Sequence, residues 1–469
     1  MYRLSVAVSL AVGSLVGVGS LAHAKPSAPE IFAQAYPDSP LVASGPLQCS
    51  YCHLSTYPAS WNVFGIALQL QITPDSTDAQ FAAELPGALA ALETADSDND
   101  GVANIEEIMR GTGSGNAASV PDDRVCVPGN EDYDICNYDP PYTYKKLWLD
   151  YCGESPTYQE MVDFRALSRD EQMARLHDTL EACLDSEFWL RKNGQLWQIA
   201  HPKLRPVGTL KGGVEDRGPI PLADYYDDYH LFVYTQIDDH DARDVLLADY
   251  HVVRQDSPEG TTYTQVSDVG TQPLQTDRRA GLATTAWHLL YNTMFTGVPR
   301  TAAAQTYRAF LGFDIAKMEG LFPAPEPLID YDQKGVTGDA CAQCHTTIDA
   351  MTRPFAFYNG LQAPAGQYDA TRIQDGFLFE GPLMAQFPES GYLMGQPVVD
   401  LLDWAEVAVA SAAFAAATVK DYWKHAMGRA PVATDYEYLD LWADFMATHD
   451  YRVERMLHDL IETEAYGAP

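Results

Sequence analysis

Apolar residues recur at helical spacing along most of the chain, whereas the alternating runs typical of strands are few and short. An Ala- and Leu-rich run over 81–92 is the first helical stretch. Ser168, followed by Asp170 and Glu171, supplies an N-cap and an acidic first turn for a helix that runs to about residue 191. The pattern therefore predicts a mainly α protein.

Further helices are predicted over residues 242–253, 278–294, 301–318, 398–427, 435–448 and 452–464. Two stretches rich in Gly, Pro and Asp, 111–144 and 211–228, predict connecting loops. The most apolar of the later segments, 407–419, is too short to span a bilayer and is flanked by charges. We expect it to be a buried helix.

The N-terminus has the features of a secretory signal. Arg3 precedes an apolar stretch over 4–21, and Ala22-His23-Ala24 provides a small-residue cleavage site. A membrane anchor is the alternative, but the polar, Pro-containing sequence after Ala24 favours cleavage there. We therefore expect a protein that is exported to the periplasm or the exterior and has no membrane span after cleavage.

The formal net charge is −35. A field of that sign repels nucleic acids and anionic lipids, so neither is an expected partner. The charge suits docking onto a basic redox partner, although a plainly solvated acidic surface explains it equally well.

Two Cys-x-x-Cys-His motifs carry the clearest chemistry. They consist of Cys49, Cys52 and His53, and of Cys341, Cys344 and His345. Two thiols at this spacing attach to the vinyl groups of one haem, and the adjacent His binds its iron. A thioredoxin-like pair does not require the His, and a shared zinc site would have to join two distant pairs and leave both histidines unexplained. The sequence therefore predicts two covalent haem c groups.

Each iron needs a sixth ligand or keeps an open face. Met109 is the only Met or His between His53 and the first loop-rich connector, which makes it the candidate for the first haem; packing of its helix is the alternative. For the second haem, Met394 lies in a turn-like sequence that suits a ligand. Met384 is the next candidate, and His425 and Met427 lie further along the chain.

Residues 96–107 match the twelve-position calcium loop, with Gly101 at its sharp turn. The predicted ligands are Asp96, Asp98, Asp100, the Val102 carbonyl, Asn104 and Glu107. Ca²⁺ prefers six to eight oxygen ligands, which this loop can supply. An acidic solvated turn is the alternative. We expect one structural Ca²⁺ that fixes the helix carrying Met109.

Four cysteines lie outside the motifs, and export makes disulfides possible. We expect Cys126 to pair with Cys136 and Cys152 with Cys183, among the three connectivities that four cysteines allow.

Three histidines, His230, His240 and His251, recur in the middle of the chain beside several aspartates. One interpretation makes one of them a distal haem ligand or a catalytic acid/base. The alternative is that they are ordinary surface or core residues with hydrogen-bond partners.

Two resemblances follow from these residues. The stretch from Asn62-Val63-Phe64-Gly65 through the calcium loop resembles small secreted cytochrome domains that are closed by a thrombospondin-type-3-like loop. The region from Asp244 onward, through His345 with Ile348-Asp349 and on to Gly428-Arg429, is similar to uncharacterised exported cytochromes of planctomycete and myxobacterial type. That family commonly has a Pro where Ala350 stands here. The resemblances imply a cytochrome without naming a reaction.

These observations predict a signal peptide (1–24), an N-terminal cytochrome c-like domain with the calcium loop (25–125), a connector with a helical middle domain (126–330) and a C-terminal cytochrome c-like domain (331–469). The leading functional hypothesis is a dihaem electron-transfer protein. The alternatives are a dihaem peroxidase or oxygenase with one open iron, and a module of a larger exported redox complex. The catalytic residues of such an enzyme are not predicted by the sequence.

Overall fold

The computed structural model describes residues 25, 27–43, 46–56, 59–74, 76–117, 119, 138–205, 223–267, 275–314, 322–362, 365–373, 382–432 and 435–469. It is mostly helical, with 55% helix and 7% strand, which confirms the mainly α prediction. The chain forms two compact units, Met1–Pro121 and Asp122–Pro469. The predicted signal peptide lies outside the described residues.

The described part of the first unit is made of α1 (Ala28–Ala35), α2 (Pro40–Ala43), β1 (His53–Thr56), β2 (Ala59–Trp61), α3 (Val63–Gln69), α4 (Asp78–Leu92) and α5 (Asn104–Arg110). A capping box between Thr77 and Gln80 starts α4, because each side chain binds the other residue's backbone N–H. Phe32, Phe64 and Leu89 share one buried core that joins α1, α3 and α4.

The second unit begins with seven helices and a hairpin. They are α6 (Pro140–Leu147), α7 (Tyr158–Arg165), α8 (Arg169–Leu184), α9 (Glu187–Leu190), α10 (Gln195–Leu204), α11 (Tyr225–Tyr234), α12 (Asp244–Leu247), β3 (His251–Ser257) and β4 (Gly260–Val266). The predicted disulfide between Cys152 and Cys183 is confirmed and ties α8 to the turn after α6. The proposed partners Cys126 and Cys136 lie outside the described residues.

The remainder of the second unit is α13 (Ala286–Asn292), α14 (Arg300–Leu311), α15 (Asp339–Thr352), β5 (Gly391–Leu393), β6 (Gln396–Val398), α16 (Leu401–Val409), α17 (Ala412–Met427), α18 (Tyr436–Ala447), α19 (Val453–Leu460) and α20 (Glu464–Gly467). Helix α14 packs against both α15 and α17. The predicted middle domain and the predicted C-terminal haem domain therefore lie within one packed unit, because helices on either side of residue 330 share a core.

Several predicted helices differ in the structure. The one predicted to run from Ser168 to about residue 191 is divided into α8 and α9, and within 278–294 only Ala286–Asn292 is α-helical. Only Asp244–Leu247 of the 242–253 segment is helical, and the chain then enters β3, where Val252 and Val253 pair with Gln265 and Thr264. β-branched residues favour that pairing. The predicted 398–427 helix is divided at Ser411, whose hydroxyl caps α17, and the two parts meet at 64°.

Among the described residues, no single helix is long and apolar enough to cross a membrane. The bent pair α16 and α17 reaches that length and composition only when its two parts are taken together. Trp404, Phe414 and Trp423 on these two helices are buried inside the second unit.

Candidate haem and calcium sites

The first haem motif begins in a single 3₁₀ turn, Cys49–Tyr51, closed by a hydrogen bond from the Cys52 N–H to the Cys49 carbonyl (3.2 Å). Neither cysteine is in a disulfide, and Cys49 is exposed. His53 follows as the first residue of β1, and its ring lies against that of Trp61 with 3.9 Å between centroids. The turn thus places two free thiols directly before the predicted iron ligand.

Asn62 fixes the backbone of this turn. Its N–H donates to the Cys52 carbonyl (3.1 Å) and its side-chain amide donates to the Tyr51 carbonyl (2.8 Å). Its side-chain oxygen accepts from the Gly65 N–H (2.8 Å) and so caps α3. Gly65 packs so tightly that a Cβ there would lie 2.1 Å from the Cys52 carbonyl oxygen. The Asn-x-Phe-Gly sequence therefore holds α3 against the haem motif.

Apolar side chains remain accessible in the same unit. Val63, Ile66 and Leu70 recur along α3 with 45%, 47% and 80% of their surface exposed. Met109, the predicted sixth ligand, lies on α5 and is 42% exposed. Met109 is therefore a partly accessible residue and is not sealed in the core.

The second motif lies within α15. Cys341, Cys344 and His345 fall on consecutive turns of this helix, and both cysteines are free thiols. The His345 Nδ1 lies 2.8 Å from an Asp349 carboxylate oxygen, one helical turn later. Since a carboxylate only accepts hydrogen bonds, Nδ1 carries the proton and Nε2 is left as the nitrogen that can bind a metal. The residues present fit a haem whose iron is bound by His345.

A cavity opens beside this histidine. It is lined on different sides by Glu326, Tyr331, His345, Asp349, Arg353 and Phe387, among others.

The two methionines predicted for the second haem occupy different settings. Met394 lies at the tip of the β5–β6 hairpin with φ +50° and is 8% exposed. This hairpin packs on α15, since a Cβ on Gly391 would lie 2.4 Å from the Ala350 carbonyl oxygen. Met384 is 2% exposed and shares a core cluster with Tyr331 and Phe387.

His425, a candidate further along the chain, is packed among aromatic side chains. Its ring packs against those of both Tyr151 and Trp189, with centroid separations of 5.7 and 5.4 Å.

The calcium loop brings its carboxylates together. Oxygens of Asp96, Asp98 and Asp100 lie within 4.8 Å of one another. Glu107 is fully buried. The carboxylate oxygens of Glu107 and of Asp98 accept no hydrogen bond of ordinary geometry from the described residues. The nearby Ser114 hydroxyl is instead engaged with Tyr51 and with the backbone. Buried oxygens without donors are costly unless a cation satisfies them.

Electrostatics point the same way. Burial, together with the neighbouring Asp98 and Asp100, raises the pKa of Glu107 to about 8. Burial and Asp100 likewise raise the pKa of Asp98. The ionised form of these carboxylates is therefore disfavoured unless a cation compensates it, and the donor set fits Ca²⁺.

The Asn104 side chain, a predicted calcium ligand, is held by hydrogen bonds within the loop. Its side-chain nitrogen donates to the Leu92 carbonyl (2.8 Å) and to the Ser97 hydroxyl (2.9 Å), while its oxygen accepts from the Ser97 N–H (3.3 Å). These hydrogen bonds join the two ends of the loop. The Val102 N–H donates to Asp100 (2.8 Å), which shapes the turn before the predicted carbonyl ligand.

The histidines of the middle region are spread over separate elements. His240 stacks on Tyr234 (3.9 Å between centroids) and binds its carbonyl through Nδ1 (2.8 Å). His230 packs beside Trp197, and burial together with the nearby Arg254 lowers its pKa to about 3. His251 is buried in β3. His230 and His240 are half-buried, and each has neighbouring side chains as partners.

Sequence reasoning assigned no role to Asp349 and predicted no helix at this segment. In the helix that the structure shows, a spacing of four places Asp349 and His345 on one face. Its second partner, Arg300, had no local signal because it lies far away along the chain.

Comparisons of the chain with protein-family models, with curated proteins and with solved structures found no match.

Proposed function

We propose that this chain is an exported dihaem c-type cytochrome that mediates electron transfer. The observation that carries the proposal is the state of the second motif, where two free thiols precede a histidine whose Nδ1 is held by Asp349 and whose Nε2 remains for iron. In this proposal Cys49, Cys52, Cys341 and Cys344 form thioethers. His53 and His345 bind the two irons.

Bound haem would supply one-electron chemistry. The contribution of the protein is attachment, orientation and control of the surroundings. Asn62 and Gly65 hold the first motif rigid, and Asp349 orients His345 at the second. The accessible apolar stripe of α3 offers a surface against which a porphyrin can pack.

Export and acidity support the proposed partner. A c-type cytochrome is assembled outside the cytoplasm, in agreement with the predicted signal over residues 1–24. The net charge of −35 favours a basic redox protein as donor or acceptor, since opposite charges speed encounter.

The calcium ion in this proposal is structural. It would satisfy the orphaned oxygens of Asp98 and Glu107 and so fix the start of α5, the helix that carries Met109. Met109 and Met394 are the proposed sixth ligands, with Met384 as the alternative for the second haem.

Haem content tests the proposal directly. The full chain, made together with a haem-attachment system, should contain two haems per polypeptide that remain bound after denaturation and acid extraction. The double variants Cys49→Ser/Cys52→Ser and Cys341→Ser/Cys344→Ser should each retain one. A wild-type chain with the mass of the bare polypeptide would refute the cytochrome assignment.

A dihaem peroxidase is the second candidate, and the contact between Asp349 and His345 is the observation that favours it. A carboxylate on Nδ1 makes an iron-bound imidazole a stronger electron donor, which favours O–O cleavage at an open iron. One high-spin haem whose spectrum shifts on addition of cyanide would support the enzyme. Two low-spin haems that do not respond to cyanide would support the electron carrier.

A further inference from the structure

The turn that precedes α15 is held by one aspartate. The two carboxylate oxygens of Asp330 accept from the backbone N–H groups of Lys334 (2.9 Å) and Gly335 (2.7 Å). Gln333 and Gly335 both have left-handed backbone conformations, with φ of +55° and +76°. This turn leads directly to the helix that carries the second haem motif.

The calcium loop of the first unit is built in the same way. The carboxylate oxygens of Asp96 accept from the N–H groups of Asp100 (3.2 Å) and Gly101 (2.9 Å), and Asn99 and Gly101 have φ of +63° and +95°. The two turns share the spacing of their aspartates and the positions of positive φ. They differ at the fifth position, where Lys334 replaces Asp100, so the second turn lacks one of the anionic ligands.

A guanidinium group contacts the second turn at its third position, which corresponds to Asp98 in the first. Arg300, at the start of α14, forms a paired contact with Asp332 (2.7 and 3.1 Å), the third residue of the turn. The same guanidinium binds both oxygens of Asp349 (2.7 and 2.8 Å). The Asp332 and Asp349 side chains are only 13% and 5% exposed, so water screens these contacts weakly.

The contact continues to the predicted iron ligand. Asp349 accepts from the His345 Nδ1 (2.8 Å) with an oxygen that also binds Arg300. Because the paired guanidinium fixes the carboxylate plane, the direction from which the imidazole donates is also fixed. The series Asp332, Arg300, Asp349 and His345 thus joins the turn to the ligand through side chains alone.

We propose that Arg300 is a positioning residue that takes the place of a loop cation and, through Asp349, sets the orientation and tautomer of the His345 imidazole. The inference rests on the proposed function in taking His345 as an iron ligand. Its consequence is a difference between the two haem sites. The first site depends on a calcium ion that can dissociate. At the second site the positive charge is the Arg300 side chain, which is part of the protein.

The test uses the dihaem protein and three single variants. Asp349→Asn keeps an acceptor but removes the charge, Arg300→Lys keeps the charge but removes the paired geometry, and Asp332→Asn loosens only the outer contact. Loss of the anionic partner makes the imidazole a weaker donor, so Asp349→Asn should raise the reduction potential of the second haem and leave that of the first unchanged. Arg300→Lys should broaden or shift the EPR signal of the second haem, and Asp332→Asn should do so to a smaller extent.

Calcium chelation provides the complementary measurement. A chelator should alter the spectrum of the first haem and leave the potential and EPR signal of the second haem as they were. Unchanged second-haem signals in both Asp349→Asn and Arg300→Lys, with two haems attached, would overturn the inference. A second haem that responds to the chelator would do the same.

A measurement without haem separates this inference from the proposed function. In the full chain with Cys341 and Cys344 replaced by Ser, nitrogen NMR of labelled histidine should show His345 as the Nδ1–H tautomer. Arg300→Lys in that background should increase the Nε2–H fraction. A wild-type chain that binds no haem but shows this tautomer would refute the cytochrome and retain the positioning role, whereas an Nε2–H tautomer would refute the positioning role itself.

Discussion

The carbonyl oxygen of Cys52 lies against the Cα of Gly65, so closely that a methyl group on Gly65 would be 2.1 Å from it. The contact joins the haem motif of the first unit to α3. Asn62 reinforces it from the other side through its backbone N–H.

Gly65→Ala should therefore damage the site at which we propose the first haem. The methyl group has no space unless α3 moves away from the motif, so we expect the first unit to lose about 2 kcal/mol of unfolding free energy. Haem content should fall towards one per chain. Gly87→Ala on α4 is the matched control, because its Cβ meets nothing within 4 Å and alanine favours a helix. Equal haem content and stability in the two variants would contradict the close contact.

This contact shows what the sequence could and could not predict. The Asn-x-Phe-Gly motif was recognisable as a resemblance, but the clash that requires Gly65 depends on the path of the chain between Cys52 and Asn62. The calcium loop was predicted in more detail because its ligands follow one another within twelve positions. Even there, spacing alone does not reveal the hydrogen bonds of the Asn104 side chain with Leu92 and Ser97.

Long-range packing limited the rest of the prediction. Helices were located well where caps and apolar periodicity agreed, as at Ser168 before α8. The segment after Leu247 was predicted to be helical. In the structure it forms β3, because it pairs with β4, the strand that follows it in the chain. The contact of Arg300 with Asp349 joins positions 49 apart, and no local pattern marks it.

The calcium loop gives the second prediction. Glu107→Gln removes a charge from a cluster that we propose is neutralised by Ca²⁺, so it should weaken calcium binding at least tenfold and abolish the stabilisation by calcium of the first unit. Isothermal titration and thermal unfolding with and without chelator measure both effects. The neighbouring Glu106→Gln, at an exposed residue paired with Arg110, is the control and should bind calcium as the wild type does. Calcium-independent melting of the wild type would contradict the site.

The sixth ligand of the second haem gives the third prediction. Met394 lies at a hairpin tip that packs on α15, whereas Met384 fills a core cluster. If Met394 binds the iron, Met394→Ala should abolish the Met-to-iron absorption band of the second haem and lower its reduction potential. Met384→Ala should retain the band and instead destabilise the second unit by about 2–5 kcal/mol. An unchanged band in Met394→Ala, with loss of the band in Met384→Ala, would exchange the two assignments.

The last prediction concerns His288, a residue of α13 that is 6% exposed and whose side chain contacts α14. Burial lowers its pKa to about 4. The Thr306 hydroxyl donates to the Ala302 carbonyl (2.8 Å), so its oxygen is the acceptor for the His288 Nε2–H (3.1 Å). The Asn292 amide nitrogen faces Nδ1 (3.4 Å), a position that suits only the neutral ring.

Since the unfolded chain binds a proton at His288 near pH 6.5 and the folded chain only near pH 4, unfolding is favoured as the pH falls between these values. Protonation of His288 has no effect on the free energy of unfolding at pH 7. By pH 5 it should lower this free energy by about 2 kcal/mol, at about 1.4 kcal/mol per pH unit. His288→Gln keeps polar atoms at the site but does not titrate. Denaturant unfolding at several pH values should therefore show that the variant loses less stability than the wild type between pH 7 and pH 5. Parallel curves for the two proteins would mean that His288 accepts a proton in the fold as readily as it does in the unfolded chain.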